Sequence, residues 1–167
     1  MSQRIPEGIL RSFVEKIFGR RGIPDQDART AADVIIAANL LGVDTHGVVR
    51  LSHYVRRLEN GTIKAEPNIT VERPAKAVGI VDGDNGLGHI VTARATDLAA
   101  EIAGDVGTAS VAIRGSSHFG IAGYYVRKLI ESGYAGMATT SSDAFLIPFG
   151  ATKAFFGTNP IAYGFPA

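Results

Sequence analysis

Residues 77–140 read AVGIVDGDNGLGHIVTARATDLAAEIAGDVGTASVAIRGSSHFGIAGYYVRKLIESGYAGMATT, and this stretch decides the fold class. Its apolar run Ala77–Val81 ends at the turn-like Asp82-Gly83-Asp84-Asn85-Gly86, which predicts a short strand and its stop. An amphipathic stretch over about His89–Ala103 predicts a helix, Ser110–Arg114 a strand, about Ile121–Glu131 a helix and Gly136–Thr140 a strand. Strands alternating with helices imply an α/β layer whose strands are partly parallel. Ile69–Val71, bounded by Pro74, predicts one more strand before this stretch, and Phe145–Pro148 and Ile161–Phe165 predict two after it.

The first third has a helical texture. Ile9, Leu10, Phe13, Val14, Ile17 and Phe18 recur at the spacing of one buried helical stripe, between Pro6 and Gly22. A second helix is expected after Pro24, with Asp25 as N-cap, running through Ala28–Leu41 to Gly42. A third should occupy roughly Val48–Glu59 and stop at Asn60-Gly61. The expected organisation is a helical segment over residues 1–72, then the first part of an α/β domain over residues 73–167. No internal repeat or low-complexity segment interrupts it.

The chain has 167 residues, 46% hydrophobic and 20% charged, within the range of an ordinary globular domain. Seventeen basic and sixteen acidic residues give a formal charge of +1 without a long charge block. Nothing there asks for nucleic acid or an anionic membrane as partner. The absence of cysteine excludes disulfides, thiolate metal sites and cysteine nucleophiles, and fits a reducing compartment. Met1 to Arg21 carries charges at Arg4, Glu7, Arg11, Glu15 and Lys16, so it reads as neither a signal peptide nor a membrane span. A cytoplasmic protein is expected.

Three places have chemistry in them. In Asp44-Thr45-His46-Gly47, at a helix start, His46 is followed by Arg50 and Tyr54 at i+4 and i+8, on one expected helical face. An imidazole moves protons near neutral pH, a guanidinium holds a carboxylate through two parallel hydrogen bonds, and a phenol adds a hydroxyl. Oxidation of a 2-hydroxy acid needs that combination. A capped helix with a surface arginine would show the same spacing. Ser116-Ser117-His118-Phe119-Gly120 lies between a strand end and a helix start, where ligands often sit, so His118 is a general acid/base candidate or a loop histidine held by serines. Ser141-Ser142-Asp143 again follows a strand, with Gly157-Thr158-Asn159-Pro160 further on, and either could be turn chemistry alone. His53 is expected at the surface, and His89 is expected to begin a helix after Gly86-Leu87-Gly88, where its role is no more than helping to terminate a turn. That Gly-x-Gly lacks the third glycine of a dinucleotide fingerprint, since Val91 stands in its place. No metal site is expected, because no two histidines stand at i, i+4 and carboxylates do not cluster around them.

Taken in order, DTHGVVRLSHYVRRLENG, DGDNGLGHIVTARA, IRGSSHFGIAGYY and GTNPIAYGFP resemble the malate/L-lactate/ureidoglycolate dehydrogenase family of 2-hydroxyacid oxidoreductases, over nearly the whole chain from about residue 5. The resemblance implies a non-Rossmann nicotinamide-binding domain, NAD or NADP as cofactor, a small 2-hydroxy or 2-oxo acid as substrate, and a homodimer. It makes His118 the proton donor and acceptor, with His46 and Thr45 beside it in the catalytic group. It places Arg50 and Thr158 at the substrate, where the shared helical face also puts Tyr54, and Phe119, Gly120, Ile121, Ala122 and Ser142 at the cofactor. Thr45 stands where such proteins often have Ser, and Ser117 where many have Asn. Family members are about twice this length and continue with a segment around Asp-Met-Ala-Thr that supplies an acidic residue. An incomplete domain is therefore expected, with little or no activity alone or completion by the missing C-terminal half. A non-catalytic partner-dependent chain and a cyclic imino-acid reductase are the alternatives.

Overall fold

The structure is a computed structural model and describes residues 4–167. The described residues divide into two compact units, the first ending at Ile121 and the second running from Ala122 to Ala167. In the first, α1 (Glu7–Gly19), α2 (Asp25–Leu40) and α3 (Leu51–Glu59) precede strands β1 (Thr70–Ala75) and β2 (Val78–Asp82), helix α4 (Gly88–Val106) and β3 (Ser110–Arg114). Two 3-10 turns, Asp44–His46 and Val48–Arg50, join α2 to α3. The second unit holds α5 (Ala122–Glu131), β4 (Gly136–Thr139) and β5 (Ile161–Gly164). The architecture is mixed α/β, as the alternation of periods predicts.

Strand β2 is central in a three-stranded sheet, antiparallel to β1 and parallel to β3. Val78 pairs with Ser110 and Asp82 with Arg114, so α4 is the crossover that a parallel pair requires. Its buried Val91 and Ala95 pack on Val81 of the sheet, with Leu98 and Val111 alongside. The next strand–helix–strand run does not extend this layer. β4 instead pairs with β5, antiparallel, from Gly136–Gly164 to Thr139–Ile161.

The main core of the first unit runs across the expected division at residues 72/73. Leu87 and Ile90, at the start of α4, join Phe18, Ile35, Ile36 and Tyr54 in one buried cluster. The change of texture near Gly61 therefore marks a change of element type inside one core.

Several local expectations are corrected. The α1 stripe is narrower than its spacing suggests: Val14 and Phe18 are fully buried, but Ile9 and Phe13 are 63% and 50% exposed. Pro24, not Asp25, holds the N-cap position of α2, and no side chain caps that end. Pro74 lies within β1 instead of bounding it, and the ladder with β2 is irregular between Glu72 and Ala75, where proline has no N–H to offer. Phe145–Pro148 is not a strand. Leu146 makes an isolated bridge to Phe156, and the chain turns at once through Ala151 N–H to the Pro148 carbonyl. Among the described residues, no helix is long and apolar enough to cross a membrane.

Candidate active site

The site grows from two chain segments that α4 brings together. β3 delivers its carboxyl end into the loop of residues 115–121, which contains His118. Gly115 (φ +57°) turns the chain there, and the Gly115 carbonyl accepts from Asn85 N–H at 2.7 Å. From the other side, α3 presents Tyr54, whose side chain is fully buried. The Tyr54 hydroxyl and His118 Nδ1 lie 2.8 Å apart. Gly120 N–H also points at Nδ1, at 3.3 Å. A backbone N–H can only donate, so Nδ1 is the accepting nitrogen and Tyr54 donates to it as well. In the neutral ring the proton therefore sits on Nε2.

His46 stacks on His118, with ring centroids 5.4 Å apart and planes 27° apart. It does not arrive there along one helical face with Arg50 and Tyr54. Gly47 is extended (φ −88°, ψ −149°) and splits the segment into two 3-10 turns before α3 begins at Leu51. The cause lies in α2: the Asn39 side chain accepts from Val48 N–H at 2.9 Å and fills the space that a Cβ on residue 47 would need. Thr45 Oγ1 lies 3.0 Å from His46 Nδ1. Arg50 Nε donates to the Thr45 carbonyl at 2.8 Å, which fixes the root of the guanidinium. Thr45, His46, Arg50, Tyr54 and His118 are thus gathered on one side of the first unit.

The electrostatics of this group are one-sided. Burial pushes the His118 imidazole down to about 4, and the neighbouring His46, Arg50, His53 and Arg57 push in the same direction. His46 is lowered by burial and then by Arg50. Burial raises Tyr54, so it remains a phenol able to donate. The charged groups that act on His118, Arg50 and Arg57, are both cations, which suits an anionic ligand.

His53 departs from its expected surface place, and His89 stands at the expected helix start but in surroundings that the spacing does not foresee. His53 is half-buried, with its ring edge-on to Tyr54 at 5.8 Å. His89 belongs to the first turn of α4 and is fully buried, set at right angles to Tyr54 at 4.8 Å. Neither of its ring nitrogens has a hydrogen-bond partner, and burial lowers it to about 3. Spacing along the chain carries no hint of this, because His89 meets Tyr54 only through the tertiary packing of α4. The one available signal is its place directly after Gly88, which approaches other backbone too closely to carry a Cβ.

Phe119, Gly120 and Ile121 follow His118 in the loop, and Gly120 is buried with φ +81°. Ala122 opens α5 in the second unit. That unit also contains Ser142 and Thr158, which lie together: Ser142 Oγ accepts from Thr158 N–H at 2.9 Å and is 3.3 Å from Thr158 Oγ1. Asn159, at φ +42°, accepts from Ser142 N–H at 2.9 Å. These are exposed hydroxyls on a fixed turn, chemistry that fits the hydroxyl and amide groups of a nicotinamide nucleotide. Among the described residues no three His, Asp or Glu side chains are grouped to hold a metal ion.

A tyrosine hydrogen-bonded to a histidine, a second imidazole stacked on that ring and an arginine beside them are groups that can move a proton and hold an anion. The chain is a member of the malate/L-lactate dehydrogenase family, which it matches over residues 5–167. It is 39% identical over 163 residues to a malate dehydrogenase of Pyrococcus horikoshii, covering 98% of this chain and 45% of the relative. It is 36% identical to an L-sulfolactate dehydrogenase of Methanocaldococcus jannaschii over 160 residues, 96% of this chain and 46% of the relative. The solved structure of malate dehydrogenase from Pyrococcus horikoshii OT3 superposes with a TM-score of 0.94 at 39% identity, covering 98% of this chain and 47% of that one. The chain spans about half the length of the curated relatives it matches.

Proposed function

We propose that this chain carries the acid–base site of an oxidoreductase that transfers a hydride between NAD or NADP and a small 2-hydroxy or 2-oxo acid. The observation that carries this reading is the Tyr54–His118 hydrogen bond with His46 stacked on the same imidazole. When bound, the nicotinamide supplies or accepts the hydride. Phe119, Gly120, Ile121, Ala122 and Ser142 are the proposed contacts to it.

Arg50 holds the substrate carboxylate. Its Nε is occupied by the Thr45 carbonyl, which leaves the terminal guanidinium nitrogens for a two-point bond. His118 works through Nε2, the nitrogen that Tyr54 and Gly120 do not engage. In the neutral ring Nε2 carries the proton and donates to the carbonyl oxygen of a 2-oxo acid. In reduction the ring, once protonated at Nδ1 as well, gives its Nε2 proton to the developing alkoxide; in oxidation Nε2 of the ring protonated at Nδ1 takes the hydroxyl proton, with the Tyr54 oxygen accepting from Nδ1 in both directions. His46 and Thr45 stand beside His118, and Thr158 is a further proposed substrate contact. A homodimer is the proposed assembly, supported by the exposed apolar face of α1.

The test is reduction of a panel of 2-oxo acids with NADH or NADPH by wild type, His118→Gln and Arg50→Lys. Loss of one general acid should lower kcat about 10²–10⁴-fold in His118→Gln, with cofactor binding retained. Arg50→Lys should raise KM for the acid and leave cofactor affinity alone, since a point charge cannot replace the planar fork. Undiminished turnover in His118→Gln would refute the reading. A fall in cofactor affinity in Arg50→Lys would move Arg50 to the nucleotide.

A further inference from the structure

Helix α4 begins at Gly88 without a side-chain cap from its own N-cap residue, Leu87. The first N–H groups of a helix have no partner inside it and must find one elsewhere. Gly88 N–H finds it across the fold, donating to Ser117 Oγ at 2.9 Å. The same hydroxyl donates to the Gly86 carbonyl at 3.1 Å. Ser117 therefore closes a clasp between the start of α4 and the loop containing His118, using its donor and an acceptor lone pair at once. Gly88 lies so close to this loop that a Cβ there would overlap the Ser117 and His118 carbonyls. One residue after the clasp on α4, His89 backs Tyr54; one residue after it on the loop, His118 accepts from Tyr54.

We propose that Ser117 is a positioning residue: its two hydrogen bonds hold the loop so that His118 Nδ1 meets the Tyr54 hydroxyl and Gly120 N–H together, which fixes the ring proton on Nε2. The kinetic part rests on the reading of His118 as the proton-transfer group, and the spectroscopic part does not.

The experiment compares wild type with Ser117→Ala, Ser117→Cys and Ser117→Thr in the intact protein. Ring nitrogens of ¹⁵N-histidine-labelled samples are read by NMR, and kcat and KM are measured with NADH and a 2-oxo acid. Wild type should show His118 as one tautomer with the proton on Nε2. Ser117→Ala should show a tautomer mixture and a kcat lower by about 10-fold or more, with KM for the cofactor unchanged, because small displacements of a reacting group carry large rate penalties. Ser117→Thr keeps the hydroxyl and should keep both signatures. Ser117→Cys has nearly the shape of serine but bonds weakly, so it should follow Ser117→Ala and serves if the alanine variant does not fold. A lowered melting temperature with the single tautomer and kcat intact would overturn the proposal, leaving Ser117 a structural link only. A tautomer change in a protein that reduces no 2-oxo acid would sustain the clasp and remove the function reading.

Discussion

At the scale of single residues, His89 sets the sharpest conflict between stability and chemistry. A buried polar group without a partner costs on the order of 1–3 kcal/mol, yet both ring nitrogens of His89 are in that condition. Its pKa is held near 3 in the fold by burial and then by His118, against an unperturbed value of 6.5. Below about pH 6.5 the unfolded chain takes a proton on this residue that the folded chain refuses until about pH 3, so stability is lost as pH falls through that window. His118 acts with the same sign between about 6.5 and 4. In His89→Leu the loss of stability between pH 7 and pH 4.5 should therefore shrink by roughly 2–3 kcal/mol, read from urea midpoints at the two pH values. An unchanged acid limb would mean that His89 titrates freely in the fold. The residues that carry charge or a proton-transfer ring, His46, Arg50 and His118, are legible in the sequence because their types and neighbours announce them. His89 is not, since its role depends on what α4 packs against.

Among the elements, α4 does most to build the site. Its residues show a helical period, and β2 and β3 on either side show apolar runs, so the parallel crossover is legible in the sequence alone. What periodicity does not encode is the closeness of the helix start to the loop of residues 115–121, because that distance is set by packing and not by composition. The split at Gly47 is hidden for a similar reason: a regular i, i+4, i+8 spacing conceals a break that Asn39 imposes from another helix. The close approach at Gly88 has a measurable cost when violated. Gly88→Ala would force a methyl against two loop carbonyls, and over-packing of this kind destabilises by about 1–3 kcal/mol. Chemical denaturation should show that loss, and the Tyr54–His118 contact should be disturbed with it. Retention of full stability would show that the helix start can back away from the loop.

For the whole molecule, the expected homodimer has a concrete test on α1. Ile9 and Phe13 stand one turn apart on its outer side, with the exposed Ile5 ahead of them. A second copy seated on this face would cover the part of the apolar stripe that the core leaves out. Sedimentation of the wild-type chain should give a dimer that Phe13→Glu converts to monomer; the same mass for both would place any interface elsewhere. The parallel pairing of β2 with β3 has a consequence of another kind, in time instead of space. Val78 reaches Ser110 only once α4 has crossed over, and Tyr54 meets His118 across 64 positions of chain. Contacts of such long range are costly in chain entropy and form slowly. The helices can therefore take shape early, while the histidine–tyrosine pair must wait for the crossover to close, making the candidate site a late arrival on the folding path.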